Sequence, residues 1–300
     1  MSEKGGLATS RGLTPPLKWH PDGGKHDLAK WIISLMPPRC KNPNKPDPDD
    51  PGWLAYVEPY FGGGSVLLAN DPEGISEVVN DLNMELTNFW GVLREPRLFK
   101  EFHQMAEATP FSEQAYAACV EYGSDTVPDL DIAQINVAWR FFVRCRQSLA
   151  GRMDSFASIT RNRTRRGMNE QVSAWLNCIE GLPAAHARLK RVLILNQPAL
   201  EVIRKQDGPR TLFYLDPPYL HETRATTGEY EHEMSEEDHA RLLRSCQDMT
   251  GRFLLSGYRS DLYDTFASHN AWTRHEQKIN NHAAGGKTKR VMTECVWANF

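Results

Sequence analysis

The chain has 300 residues, 40% of them hydrophobic and 24% charged, with a formal net charge of −3, which suits one large domain or two smaller ones around a full hydrophobic core. A near-neutral total excludes nothing about nucleic acids, because the clustering of charge matters more than its sum. The six cysteines, Cys40, Cys119, Cys145, Cys178, Cys246 and Cys295, form no Cys-x-x-Cys pair, and there is neither a secretory leader pattern nor an apolar run of membrane-spanning length, so a zinc site, a disulfide framework and a membrane anchor are not indicated and a soluble, cytoplasmic protein is expected.

Residues 1–16 and the Pro/Asp/Asn/Lys run at 41–51 are too polar to pack a core and read as surface segments. Between them Leu28, Trp31, Ile32 and Leu35 recur at helical spacing until Pro37-Pro38 ends the pattern. An apolar run at 54–57 then enters Glu58-Pro59-Tyr60-Phe61-Gly62-Gly63-Gly64-Ser65, after which Val66, Leu67 and Leu68 open a helix. Glu77-Val78-Val79 predicts a second strand, ending at Asn80-Asp81-Leu82-Asn83 and followed by helical Leu86, Phe89, Trp90 and Leu93. That order predicts a parallel α/β sheet. From about 95 to 187 helical patterns dominate, with Val137, Phe141, Phe142 and Cys145 expected on one face. Strand character returns at 191–195, 212–215, 253–256 and 294–298. The catalytic domain is thus expected in two parts, 1–94 and 188–300, around an inserted helical domain at 95–187.

Within this plan, Phe213-Tyr214-Leu215 runs into Asp216-Pro217-Pro218-Tyr219. Two prolines stop a strand and fix its tip, so a carboxylate, a carbonyl without a neighbouring amide and an aromatic ring converge. Such a group suits a flat base with an exocyclic amine: Asp216 and the Pro217 carbonyl accept the amine hydrogens while Tyr219 stacks on the ring. An ordinary strand exit is the plain alternative. Gly62, Gly63 and Gly64 permit a sharp turn and close approach of a ligand, although the loop lacks G-x-G-x-x-G spacing. Asp81, at the end of the next strand, is placed to grip two ribose hydroxyls. A ribose carboxylate without a pyrophosphate loop points to a nucleoside cofactor such as S-adenosylmethionine rather than NAD or FAD. Arg140, Arg144, Arg146, Arg152, Arg161, Arg163, Arg165 and Arg166 crowd a window whose only acid is Asp154. They suit a phosphate-rich partner or a solvated basic face. His221, His232 and His239 are irregularly spaced and predict no metal site.

In their order along the chain these segments resemble the DNA adenine methylase (Dam-like) family of adenine-N6 methyltransferases. Lys18-Trp19 and Gly23-Gly24-Lys25 resemble its opening element, which implies that Trp19 packs the methionine half of the cofactor and Lys25 pairs with its carboxylate. Residues 58–65 resemble its cofactor loop, implying contacts from Tyr60, Phe61, Gly62, Gly64 and Ser65, and residues 80–83 resemble its ribose-binding segment. Residues 195–203 resemble the segment where relatives use an Asp on the cofactor adenine; Pro198 stands there instead, leaving Gln197, Asn196 or a backbone carbonyl for that contact. Asp216 would also border the cofactor, and Tyr230 and His239 match recurrent family positions.

Arg140-Phe141-Phe142-Val143-Arg144 followed by Gly151 resembles the entry to the family's target-reading insertion, with Arg140, Arg144, Arg152, Arg161, Arg163 and Arg165 implied as DNA contacts. Gly285-Gly286-Lys287-Thr288-Lys289-Arg290 resembles its basic hairpin loop, placing Lys287 and Lys289 on phosphate. The resemblance implies a Rossmann-like, S-adenosylmethionine-dependent sheet with an inserted, mainly helical target-recognition domain. It implies methylation of the N6 amine of a flipped-out adenine in a specific sequence of double-stranded DNA, with Asp216, Pro217 and Tyr219 at the chemistry and no metal. RNA adenine methylation, protein amide methylation and a catalytically inactive DNA-binding relative are the alternatives. Whether a cognate restriction endonuclease acts beside the protein stays open.

Overall fold

The computed structural model describes residues 16–17, 28–42, 50, 52–121, 130–220, 233–280 and 291–300. Its strands are β1 (Ala55–Glu58), β2 (Ser76–Asn80), β3 (Thr164–Arg165), β4 (Met168–Asn169), β5 (Val192–Leu195), β6 (Thr211–Leu215), β7 (Arg252–Gly257), β8 (Thr273–Asn280) and β9 (Val291–Ala298). Seven of them form one sheet in the order β5-β2-β1-β6-β7-β9-β8, while β3 and β4 make a separate hairpin. From β5 to β7 all neighbours are parallel, whereas β9 runs antiparallel to both β7 and β8. The sheet is therefore mostly parallel, in the Rossmann-like manner expected, but its last two strands are not. β8 has no counterpart in the sequence reading, because Thr273-Arg274-His275-Glu276-Gln277-Lys278 carries no apolar residue. An edge strand has only one hydrogen-bonded neighbour and tolerates such charges.

The sheet is covered on both faces, which is why β6 is buried at every position and reads as a continuous apolar run. On one face lie α1 (Ala29–Ser34), α2 (Ser65–Ala69), α3 (Met84–Arg94), α4 (Pro96–Ala108), α6 (Leu130–Gln147) and α7 (Glu170–Leu189), with α5 (Glu113–Glu121) packed on α6. The opposite face carries α8 (Ala199–Gln206), α9 (Glu236–Gln247) and α10 (Asp261–His269). Asn83 caps α3 by accepting the Leu86 amide at 2.8 Å, and Leu86, Phe89, Trp90 and Leu93 are all buried as their spacing required.

Phe89 packs against Phe102 of α4 and Phe142 of α6, and Phe142 against Trp175 of α7. The helices between β2 and β5 therefore share one buried cluster with α3 and the sheet. On α6, Phe141, Phe142 and Cys145 face this cluster as expected. Val137 does not: it is exposed, and Ile135 and Ala138 take the inner positions. A buried ion pair ties the layers, with Arg188 of α7 donating to Glu77 of β2 at 2.6 Å and to the Leu67 carbonyl of α2 at 3.0 Å. Among the described residues no helix is long and apolar enough to cross a membrane, and all six cysteines are buried thiols.

Candidate active site at the carboxyl edge of the sheet

The strand order turns in opposite directions from β1 and β6. Their carboxyl ends thus flank a topological switch point, where open α/β sheets leave a crevice. Glu58 and the glycine turn leave β1 there, Asp81 leaves β2, Asn196-Gln197 leaves β5 and Asp216 leaves β6. Four of the segments singled out from sequence are brought to one edge by this topology.

The glycine turn is shaped by its backbone and tied down by the side chains of Asp81 and Trp90. Gly62 and Gly64 have φ of 50° and 70°, a region that favours glycine. A Cβ on Gly64 would also meet the Phe61 ring at 2.8 Å. Phe61 donates its amide to the Asn80 carbonyl at 2.8 Å, and Trp90 donates its indole N–H to the Gly62 carbonyl at 3.1 Å. The carboxylate of Asp81 accepts the Gly62 amide at 2.9 Å and the Asn83 amide at 3.0 Å. Asn80 joins the next strand end, donating to the Pro59 and Gln197 carbonyls at 2.9 and 3.0 Å and accepting the Gln197 amide at 2.9 Å.

Asn196 donates to the Asp81 and Leu82 carbonyls. The Gln197 side-chain oxygen accepts from Lys205 at 2.8 Å. Leu82 stands beside these groups and is 47% exposed, so an apolar surface lies next to the carboxylate. Ser65 begins α2, and Tyr60 packs into the second core rather than lying open in the turn.

Across the switch point, Asp216 is half-buried and Pro217 buried. Pro218 supplies no N–H beside the Pro217 carbonyl, which is what the doubly prolyl tip required. The Tyr219 hydroxyl lies 2.6 Å from Glu294 Oε1 and 3.2 Å from Asp216 Oδ1. Its ring meets Tyr258 edge-on, with centroids 4.7 Å apart. Burial, and then the charges of Asp216 and Glu294, push the Tyr219 hydroxyl well above its ordinary pKa, so it remains a proton donor. Glu58 is buried and accepts from Tyr56 at 2.8 Å. Its carboxyl is pushed up to about 8, chiefly by burial and further by the charges of Asp216 and Glu77, against the Tyr56 hydrogen bond.

Sequence reasoning missed Glu294, Trp90 and Tyr258 as members of this edge, and passed over the protonation of Glu58 and the tie that Asn80 makes between strand ends. For Glu294 a signal existed: a carboxyl group precedes the wholly buried Cys295-Val296-Trp297-Ala298.

The arginine-rich stretch leaves α6, passes a 3-10 turn at Leu149–Gly151 and enters the β3–β4 hairpin. Arg166 and Gly167, with φ of 54° and 73°, make its two-residue turn. Sequence periodicity did not show this hairpin because each strand has only two residues. Arg152, Arg161, Arg163 and Arg165 are exposed, and Arg140 is half-buried. Several cations already face acids: Arg144 pairs with Glu85 of α3, Arg163 and Arg165 lie 3.8 and 3.6 Å from Glu170, and Arg166 grips Glu180 and Asn177.

His239 is buried, with Nδ1 2.9 Å from the Tyr263 hydroxyl. Among the described residues no group of three or more His, Cys, Asp or Glu side chains is arranged to hold a metal ion. Lys18, Trp19, Lys25, His221, Tyr230, His232, Lys287 and Lys289 lie outside the described residues.

The family described as D12 class N6 adenine-specific DNA methyltransferase has a model that matches residues 22–280, a span containing every strand of the sheet but β9. No curated protein matches the chain.

Proposed function

The chain belongs to the D12 class N6 adenine-specific DNA methyltransferases, and from that premise we propose that it methylates a flipped-out adenine within a specific sequence of double-stranded DNA, using the carboxyl edge just described. The family methylates DNA adenine with S-adenosylmethionine. The observation that carries the finer reading is the approach of two elements across one switch point: the Asp81-tied glycine turn and the Asp216-Pro217-Pro218-Tyr219 tip.

The residues present fit the cofactor. Asp81 suits ribose hydroxyls, since a carboxylate oxygen has room for more than one hydrogen bond. The turn of Phe61, Gly62, Gly64 and Ser65 admits close backbone approach, exposed Leu82 offers an apolar flank, and Asn196 and Gln197 stand beside it for the adenine edge. Trp19 and Lys25 are assigned to the methionine half, and half-buried Tyr60 anchors the turn to the second core. Bound there, S-adenosylmethionine supplies a methyl group on a positively charged sulfur, which the carboxylates of this edge favour.

The exocyclic amine of adenine is a weak nucleophile, because its lone pair is delocalised into the ring. Asp216 and the Pro217 carbonyl accept its two hydrogens and favour the pyramidal, electron-richer amine. As the new N–C bond forms and the methyl–sulfur bond breaks, its electron pair staying on sulfur, positive charge grows on N6 and these hydrogen bonds strengthen, which is stabilisation specific to the transition state. The surplus N6 proton then passes through Asp216 to solvent, so Asp216 need not act as a base before transfer. Tyr219 stacks on the base, which must leave the duplex to reach this depth. Arg140, Arg144, Arg152, Arg161, Arg163 and Arg165, with Lys287 and Lys289, are assigned to DNA phosphates.

Expression in a host lacking adenine methylation, followed by genome-wide mapping of modified adenines, tests the proposal. Methylated adenines in one short sequence context are expected. Unmodified DNA from cells containing the folded protein would sink it.

A further inference from the structure

Glu294 stands on the strand that reverses the sheet's direction. Because β9 is antiparallel to β7, with Cys295 opposite Gly257, the start of β9 returns to the edge where the parallel strands end. There Glu294, 1% exposed, reaches the Tyr219 hydroxyl across 75 residues of sequence. Burial of a carboxyl group opposes folding unless hydrogen bonds compensate it, and the Tyr219 hydroxyl supplies one such bond.

A phenol has one proton to give, and two carboxyl groups lie within reach of it. The 2.6 Å contact to Glu294 has the length of a charge-assisted O–H···O⁻ bond, whereas the 3.2 Å contact to Asp216 is longer than an ordinary O–H···O bond. The phenol therefore donates its main hydrogen bond to Glu294. Two effects follow at the tip of β6. Tyr219 is fixed at its hydroxyl by Glu294 and at its ring by the edge-on contact with Tyr258, 74° from coplanar. In addition, the closer Glu294 draws the phenol hydrogen away from Asp216 Oδ1.

We propose that Glu294 is a positioning residue for methyl transfer: by accepting the Tyr219 hydrogen bond it orients the ring that stacks on the target base and keeps Asp216 directed to the amine hydrogens. This rests on the adenine-methylating reading above. It assigns a role to a side chain that neither the cofactor turn nor the Asp-Pro-Pro-Tyr tip contains.

The test uses the full chain, with Glu294→Gln, Tyr219→Phe and the double variant. Methyl transfer from labelled S-adenosylmethionine to duplex DNA lacking adenine methylation gives kcat and KM, and calorimetry gives cofactor affinity separately. Glu294→Gln and Tyr219→Phe are each expected to lower kcat about tenfold or more, the effect of losing one charge-assisted hydrogen bond at the transition state. KM for DNA and cofactor affinity should stay within about twofold of wild type. The double variant should be no slower than Tyr219→Phe, because both changes remove the same charge-assisted interaction.

Wild-type kcat in Glu294→Gln, or a loss that multiplies in full with that of Tyr219→Phe, overturns the proposal. Should Glu294→Gln fail to fold or to bind cofactor, Tyr219→Phe decides from the other end of the bond, and wild-type kcat there overturns the proposal equally. A folded wild-type protein that methylates no adenine removes the underlying reading and the proposal with it. Wild-type activity with an unaffected Glu294→Gln removes the proposal alone.

Discussion

Asp81 holds the Gly62 amide at 2.9 Å, so the carboxylate assigned to the ribose is also the clamp that fixes the glycine turn. The two roles share one side chain, and removing it should damage both. Asp81→Ala is expected to weaken S-adenosylmethionine binding at least tenfold by calorimetry and to cost about 1–3 kcal/mol in urea denaturation, because the Gly62 and Asn83 amides lose their acceptor. Unchanged affinity would remove Asp81 from the cofactor site.

Asp216 follows β6, and β1 separates that strand from β2 with its Asp81 clamp. Asp216→Ala should therefore reduce methyl transfer by roughly a hundredfold or more while leaving cofactor affinity within a few fold. Near-wild-type turnover in a filter-binding assay of labelled DNA would contradict its assignment.

Glu58 should impose a pH dependence on stability. In the folded protein its carboxyl titrates near about 8, against 4.5 for an ordinary glutamate. Between those values the folded state holds a proton that the unfolded chain has lost, so stability falls as pH rises from about 4.5 to about 8 and levels off above. Glu58→Gln removes that contribution. Urea midpoints taken from pH 5 to pH 8 should show the variant gaining on wild type by roughly 2–4 kcal/mol, and parallel curves would show that Glu58 is ionised throughout.

Arg188 and Glu77 are both buried, and Arg191, 4.0 Å from Glu77 but 38% exposed, is a poor substitute partner. Arg188→Ala leaves a carboxylate stranded under α7 and should cost about 3–5 kcal/mol. The joint change Arg188→Met with Glu77→Leu should recover most of that loss, as read from denaturant midpoints.

The β3–β4 hairpin separates cations by how they are engaged. Arg161 is exposed, whereas Arg166 already grips Glu180 through two nitrogens. Arg161→Ala should reduce the slope of log affinity against log salt by about one. Arg166→Ala should change that slope far less and should lower hairpin stability instead. Equal slopes would place both residues on the same kind of contact.

Much of this edge was legible because its signals are local. The glycine run and the doubly prolyl tip are short stretches whose backbone requirements are written in their residue types, and Asp81 follows a strand that apolar spacing identified. The Leu86, Phe89, Trp90 and Leu93 stripe likewise predicted the buried face of α3. Local pattern failed where neighbours decided. β8 is polar over its first six residues and is a strand because β9 pairs with it along its length. Val137 has the right spacing for the core but lies where α6 turns to solvent.

By itself, the sequence determined that Asp216, Pro217 and Tyr219 end one strand, that Asp81 and the Gly62 to Gly64 turn end two others, and that arginines crowd the intervening segment. Only the tertiary structure decided that Glu294 shares the Tyr219 proton, that Glu58 is held neutral near pH 7, and that Arg188 anchors α7 to β2. The reason is physical. A motif specifies groups that are near one another along the chain, but proton sharing and charge burial depend on groups that strand order and direction bring together from far apart.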